Sequence, residues 1–292
     1  MKINKYPDGT SYVTNDVTDV NKIYTFRVNS YEDLWHLNQF VDSYNNEYSQ
    51  KPTITIPNLI DAQADRRFEF NQSSGLKLVL KFLNGMKANF KIFHPHNAEV
   101  VEALMNNVEI IDNSGFIKKV LFNLSGNTYD RRELIKVAEN TVLMSSDAGG
   151  FKPLMKLCNT IDWKGETFSA SKYRYPDTSE LVQRVDRIDF KGKDVLIIDD
   201  ISVYGGTFKG LSKLLKQRNC GKLYLAVSHM TIQNLGEDPV TNYFDKVFTT
   251  NSKFDNYFSK YKKYEGDKID PLIYETIDIH KTPDNLEIIK LF

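Results

Sequence analysis

What the sequence has little of sets the first limits. It contains 2 cysteines in 292 residues, Cys158 and Cys220, which lie far apart. Neither belongs to a CxxC pair or stands near a zinc-like histidine cluster, so ordinary buried thiols in a reducing compartment are expected. Charge of one sign is missing too. Lys plus Arg and Asp plus Glu both number 38, giving a formal net charge of zero, and no basic surplus argues for wrapping a nucleic-acid backbone. Any bound anion must therefore be held by local groups. No uninterrupted apolar run approaches the roughly 18 residues that a membrane span needs. The N-terminal MKINKYPDGTSYV lacks an apolar core of signal-peptide length. Neither nucleic acid nor membrane is expected as a partner, and a cytoplasmic location is.

What is present suits a compact soluble protein: 41% of residues are hydrophobic and 26% charged, with length enough for two domains. Short β-branched or aromatic runs alternate with segments of helical period. NKIYTFRV precedes YEDLWHLNQFVDSY, PTITIPNL precedes SGLKLVLKFLNGM, and NFKIFHP precedes AEVVEALMN. The rhythm resumes after about residue 140 with TVLMSSD, FKPLMKLC, DVLIIDD, FKGLSKLLKQ and KLYLAVSH. Such alternation implies parallel sheets covered on both faces. The expected architecture is two tandem Rossmann-like α/β domains, 1–140 and 141–292. KVFTT and LEIIKLF read as later strands. NSKFDNYFSKYKKYEGDK interleaves aromatics and lysines, which can bind single-stranded nucleic acid but more commonly marks a half-buried helix with a wet basic face.

The densest chemical signal is DVLIIDDISVYGGTF, Asp194 to Phe208. VLIID reads as a fully apolar strand, and Phe208, Leu211, Leu214 and Leu215 recur at helical spacing. The motif is then strand, tight loop and helix N-terminus, the place where open α/β sheets collect anionic ligands. Gly205 and Gly206 let the backbone approach closely, and Thr207 offers an N–H and a hydroxyl. Asp199 and Asp200 can accept hydrogen bonds from vicinal hydroxyls or hold a hydrated Mg²⁺. Phosphate plus diol points to a ribose phosphate. Glycines making a bend beside a strand-end acid pair would be the plainer account of GG alone, but four aliphatics, two acids and GGT in register are more specific.

These residues resemble the phosphoribosyl-pyrophosphate loop of type I phosphoribosyltransferases and, more closely, of ribose-phosphate diphosphokinases. Tyr6-Pro7-Asp8-Gly9 is similar to that family's Phe-x-Asp-Gly turn, and IPNLIDAQADRR, Ile56 to Arg67, to its Ile-Pro...Tyr-Ala-Arg-Gln-Asp-Arg-Arg segment. HPHN, His94 to Asn97, falls where the family has Asp-Leu-His-Ala; SSDAGGFK, Ser145 to Lys152, is close to Ser-Pro-Asp-x-Gly-Gly; SKYRYP parallels Asp-Lys-Arg-Arg-Pro. The matches occur in family order from about residue 6 to about residue 250. The resemblance implies two phosphoribosyltransferase-like domains, the first on the ATP side and the second carrying the ribose-phosphate loop. It implies ATP contacts from Tyr6, Asp8, Gln63, Asp65, Arg66 and Arg67, and Mg²⁺ ligation by His96 and Asp147. Lys172 and Arg174 would cover the transferring diphosphate and stabilise the leaving AMP. Asp199, Asp200, Val203, Tyr204, Gly205, Gly206 and Thr207 would hold the acceptor. A homo-oligomer is also implied, because in the family a neighbouring subunit completes the adenine site.

Departures from the pattern bear on the acceptor. The family loop usually reads Asp-Asp-x-x-Asp-Thr-Gly-Gly-Thr; here an acid is replaced by Val203 and a small donor by Tyr204. Gln63 and Ala64 stand where Arg and Gln are usual, Thr10 replaces an adenine-contacting acid, and His94 an aspartate. A terminal phosphate suits a nest of small donors, whereas a phenol suits a wider pocket or a stacking surface. The expected acceptor is a ribose with a larger 5-substituent, ADP-ribose, as in a phage-type branch resembling these enzymes. Ribose 5-phosphate with an unusual loop, or a noncatalytic regulatory or assembly role, are the alternatives.

Overall fold

A computed structural model describes residues 2–67, 69–174, 181–253 and 283–292. Within them the chain forms two compact units that divide after Asp112. The first opens with an antiparallel hairpin of β1 (Lys2–Lys5) and β2 (Ser11–Thr14). There follow β3 (Ile23–Thr25), α1 (Tyr31–Glu47), β4 (Thr53–Ile56), α2 (Gly75–Asn84), β5 (Asn89–Phe93), α3 (Ala98–Leu104) and β6 (Val108–Ile111). The last four of these strands pair in chain order and all in parallel, each helix supplying the long return that parallel pairing requires. The start of α1 is fixed by a capping box: Ser30 Oγ accepts from Asp33 N–H at 3.1 Å, and the Asp33 carboxylate accepts from Ser30 N–H at 3.0 Å. Leu34, Leu37, Phe40, Val41 and Tyr44 on one face of α1 enter a core with Ile54, Leu80 and Phe90.

The second unit comprises α4 (Ser114–Leu124), α5 (Arg131–Asn140), β7 (Thr141–Ser145), α6 (Phe151–Ile161), β8 (Thr167–Ser169), β9 (Ser171–Arg174), β10 (Leu181–Arg184), β11 (Asp194–Ser202), α7 (Gly206–Gln217), β12 (Leu223–Met230), β13 (Lys246–Thr250) and β14 (Leu286–Ile289). β9 and β10 form an antiparallel hairpin, and the rest build a six-stranded parallel sheet in the order β14-β13-β12-β11-β7-β8. The sequence rhythm places a division near residue 140, whereas the packed units divide at Asp112. The physical reason is a shared core: Phe116, Ile117 and Val120 of α4 are fully buried with Leu143, Leu154 and Leu196.

The described residues carry no helix long and apolar enough to cross a membrane. Beyond Lys253, the lysine- and tyrosine-rich stretch lies outside the described residues.

One feature of β11 differs from the sequence reading and positions the site. The strand does not end at the two acids but runs through them to Ser202. On one side its pairing with β7 stops at Ile198 opposite Ser145, and on the other its pairing with β12 continues to Ser202 opposite Met230. Asp199 and Asp200 therefore stand beyond the last β7 rung, on a projecting edge. This is also where the order reverses, the chain passing from β7 outward to β8 and from β11 outward to β12. Crevices at such switch points are where open α/β sheets bind ligands.

Candidate active site

At the switch point the turn after β7 meets β11. Ser146 Oγ donates to Asp199 Oδ2, and Asp200 N–H donates to Asp199 Oδ1 at 2.8 Å. Burial, followed by the neighbouring Asp200 charge, pushes the Asp199 carboxyl up to about 8. Asp147 is held by its backbone: its carbonyl accepts from Ser145 Oγ at 2.9 Å and Ser169 Oγ at 3.1 Å, while its Oδ1 accepts from Gly150 N–H at 3.0 Å. Asp199 is thus held by the hydroxyl of Ser146 and the Asp147 carbonyl by those of Ser145 and Ser169.

The loop after β11 is shaped from below by Asn234, which is 1% exposed. Its Nδ2 donates to Ser202 O at 2.7 Å, Val203 O at 2.9 Å and Thr231 O at 2.9 Å, and its Oδ1 accepts from Ser202 Oγ at 2.5 Å. Thr231 Oγ1 adds a second donor to Val203 O at 2.6 Å. Gly205 turns the chain with φ +74, and a Cβ there would stand 2.9 Å from Val240 Cγ2. Only glycine meets both demands. Gly206 and Thr207 then open α7, whose first amides have no intrahelical acceptor and present the positive end of the macrodipole. Tyr204 points out of this loop, 68% exposed.

The hairpin of β9 and β10 brings Lys172 to the same place: its Nζ lies 3.4 Å from Thr207 Oγ1. Arg174 ends the same strand, its Cα opposite that of Leu181. Gln183, opposite Lys172 in register, donates from Nε2 to Thr207 O at 2.8 Å.

Candidate residues of the first unit fall into two groups. Tyr6 and Asp8 lie on the hairpin of β1 and β2; Tyr6 is 54% exposed and its ring centroid is 4.8 Å from that of Tyr12. Asp8 Oδ1 accepts from Thr10 Oγ1 at 2.7 Å and Thr10 N–H at 2.9 Å, the hydroxyl and then the amide holding this carboxyl below the usual range. The Asp-Gly-Thr turn is therefore self-closing, with Thr10 as the partner of Asp8. The second group brings the IPNLIDAQADRR segment against the HPHN loop. Asp65 Oδ2 accepts from Asn97 Nδ2 at 2.9 Å and lies 3.8 Å from Arg66 Nε. Asn97 also caps α3, its Oδ1 accepting from Val100 N–H at 3.2 Å. Gln63, Arg66, Arg67 and His96 are exposed around this junction, and His94 turns the chain with φ +37.

For Mg²⁺, the donor set is the test. The described residues contain no cluster of three or more His, Cys, Asp or Glu side chains suited to a metal. A magnesium ion that keeps its waters and is shared with phosphates needs only one or two carboxylates. Asp147, half-buried at the switch point with one carboxylate oxygen engaged by Gly150, fits that mode, and His96 is the softer of the two candidates.

Three contributors are not singled out by the sequence: Ser146, Gln183 and Asn234. Ser146 stood beside the recognised Asp147 and could have been taken from SSD. Asn234, in the short 3-10 turn Ile232–Leu235, carries no local pattern that points to the loop, because its loop partners Ser202 O and Val203 O are more than thirty positions earlier.

The chain is similar to known proteins at the level of domain and fold. A family model described as the phosphoribosyl transferase domain matches residues 114–263. The ribose-phosphate pyrophosphokinase of Sulfurisphaera tokodaii is 25% identical over 258 residues, covering 85% of this chain and 82% of that protein. That of Thermococcus kodakarensis is 23% identical over 257 residues, covering 86% and 85%. The crystal structure of phosphoribosylpyrophosphate synthetase from Mycobacterium smegmatis superposes with a TM-score of 0.69 at 15% identity, over 99% of this chain and 85% of that one. This last likeness is one of fold.

Proposed function

This chain belongs to the phosphoribosyl transferase domain family and, within it, to the ribose-phosphate diphosphokinases, and from that premise we propose that it transfers the β,γ-diphosphate of ATP to the C1 hydroxyl of a 5-phosphorylated ribose. The acceptor oxygen forms a bond to the β-phosphorus, the bond from that phosphorus to the α,β-bridging oxygen breaks, AMP leaves with that oxygen, and the hydroxyl proton is released. Such transfer depends on positioning and charge neutralisation.

The observation that carries this reading is the approach of Lys172 Nζ to Thr207 Oγ1 at 3.4 Å. An ammonium beside the positive end of a helix is unfavourable by itself, so the pair makes sense around an anion. The 5-phosphate and the glycine-lined start of α7 suit each other, and Asp199 and Asp200 on the projecting edge suit the ribose hydroxyls. Mg²⁺, with Asp147 and His96 as candidate ligands, supplies neutralisation of the polyphosphate when bound. The first-unit junction of Asp65, Arg66, Arg67 and Gln63, with Tyr6 and Asp8 on the hairpin, is assigned to ATP. The reading includes a homo-oligomer, as the family resemblance implies.

For the acceptor we favour ADP-ribose. Tyr204, 68% exposed beside the cradle, offers a flat face to an extended 5-substituent where a small donor would close around a terminal phosphate. Ribose 5-phosphate is the second reading, favoured by the names of the relatives. Purified protein with ATP and Mg²⁺ is given either acceptor, and AMP is followed. AMP with ADP-ribose supports the favoured reading, AMP with ribose 5-phosphate alone replaces it with the second, and no AMP with either overturns the enzyme assignment.

A further inference from the structure

Gly210 occupies the interior of α7, which spans Gly206–Gln217. Glycine in a helix interior is less favourable than alanine. The local backbone gives no return for that cost, but the space does: a Cβ on residue 210 would collide with Gln183 Oε1 and stand 3.3 Å from its Cδ. The Gln183 amide is seated against this bare stretch of helix, with Nε2 donating to Thr207 O at 2.8 Å. Across the hairpin, Gln183 is the register partner of Lys172, and Lys172 Nζ reaches the hydroxyl of the same Thr207 at 3.4 Å. Two side chains from paired strands therefore converge on one residue of the anion cradle, one on its carbonyl and one on its hydroxyl.

We propose that Gln183, seated on Gly210 and bonded to Thr207 O, is a positioning residue that holds the hairpin at the register where Lys172 meets the transferring diphosphate. The inference rests on the diphosphotransfer reading and adds to it a residue that does not touch substrate. A side-chain amide to a backbone carbonyl is a suitable anchor, because the helix geometry fixes the acceptor and the bond is independent of pH in the working range. Its effect on catalysis is a matter of geometry. A displacement near 1 Å of a group acting on the reacting centre can cost about a hundredfold in rate.

Two variants separate positioning from folding. Gly210→Ala evicts the amide while improving helix propensity, so the melting temperature is expected to hold or rise while single-turnover AMP formation drops about tenfold or more. Gln183→Ala is expected to lower the same rate to a similar extent, with the ATP KM little changed. In a Lys172→Ala background, neither second substitution is expected to add a further loss, because the anchor acts through a side chain already removed. Additive losses in the double variants, or unchanged turnover in Gly210→Ala, would overturn the proposal. Failure of the diphosphotransfer reading is a different result: the unsubstituted protein would then form no AMP from ATP with either acceptor.

Discussion

Ser146 donates its hydroxyl to Oδ2 of Asp199, joining the turn after β7 to the projecting end of β11. This bond lowers the Asp199 pKa, but burial and the Asp200 charge outweigh it and push the group up from 3.8 to about 8. A carboxyl raised in the folded state holds a proton that the unfolded chain has released, so folding stability declines as pH rises between the two values. The cost is absent below the unfolded value and complete only above about 8. Asp199→Asn carries no such titration. In metal-free and ligand-free protein, the melting temperature of the wild type should fall more steeply from about pH 5 to about pH 9 than that of the variant. Parallel melting curves for the two proteins would contradict the assignment. AMP formation by Asp199→Asn should drop sharply, since an amide is a poorer acceptor for sugar hydroxyls than a carboxylate.

Lys172 is exposed and makes its described polar contact with Thr207 Oγ1, so its removal should matter little to folding. Lys172→Ala is expected to lower kcat by about 10²–10³, the range seen when one preorganised charge-stabilising donor is lost. The melting temperature should change by no more than a degree or so, as for exposed substitutions in general. Near-normal turnover would remove the role assigned to this lysine.

Much of this site was legible in the sequence because its chemistry is local. DVLIIDD followed by GGT places acids, a left-handed glycine and a helix start within one supersecondary unit, and Gly205 does adopt φ +74. The alternation of strands and helices likewise rests on short-range periodicity. The continuation of β11 past the acids was not legible: pairing with β12 extends the strand to Ser202, and pairing partners are non-local. The same holds for Asn234, whose acceptors Ser202 O and Val203 O are brought to it by folding, and for Gly210, whose space is filled by a glutamine twenty-seven positions earlier. The place of α4 was decided by the face its apolar residues bury, as Phe116 of α4 and Leu154 of α6 in one core illustrate.

Asn234 serves three carbonyls from a buried position. Asn234→Ala leaves Ser202 O and Val203 O with fewer donors and strips Ser202 Oγ of its acceptor. Unsatisfied buried groups cost about 1–3 kcal/mol each, so a loss of about 3 kcal/mol in unfolding free energy is expected, read as a lower urea midpoint at constant slope. Because the clamp shapes the loop carrying Tyr204 and Gly205, the acceptor KM should rise more than the ATP KM. Equal rises in the two, with stability retained, would mean that the loop holds its shape without the clamp.

Tyr204 is where the identity of the acceptor is most directly testable. The residue is 68% exposed and its backbone is flanked by Val203, whose carbonyl is fixed by Asn234 and Thr231, and by Gly205. The backbone course is therefore set by residues other than Tyr204, and changing this side chain should alter what the loop binds without altering its path. Tyr204→Thr replaces a stacking face with a small hydroxyl donor suited to a terminal phosphate. The ratio of kcat/KM for ADP-ribose to that for ribose 5-phosphate is expected to fall by about tenfold or more, on the scale of one stacking or hydrogen-bonding contact. Stability should be unchanged. If the ratio stays at its wild-type value, the aromatic ring has no part in choosing the acceptor, and discrimination must reside in groups that contact the ribose itself.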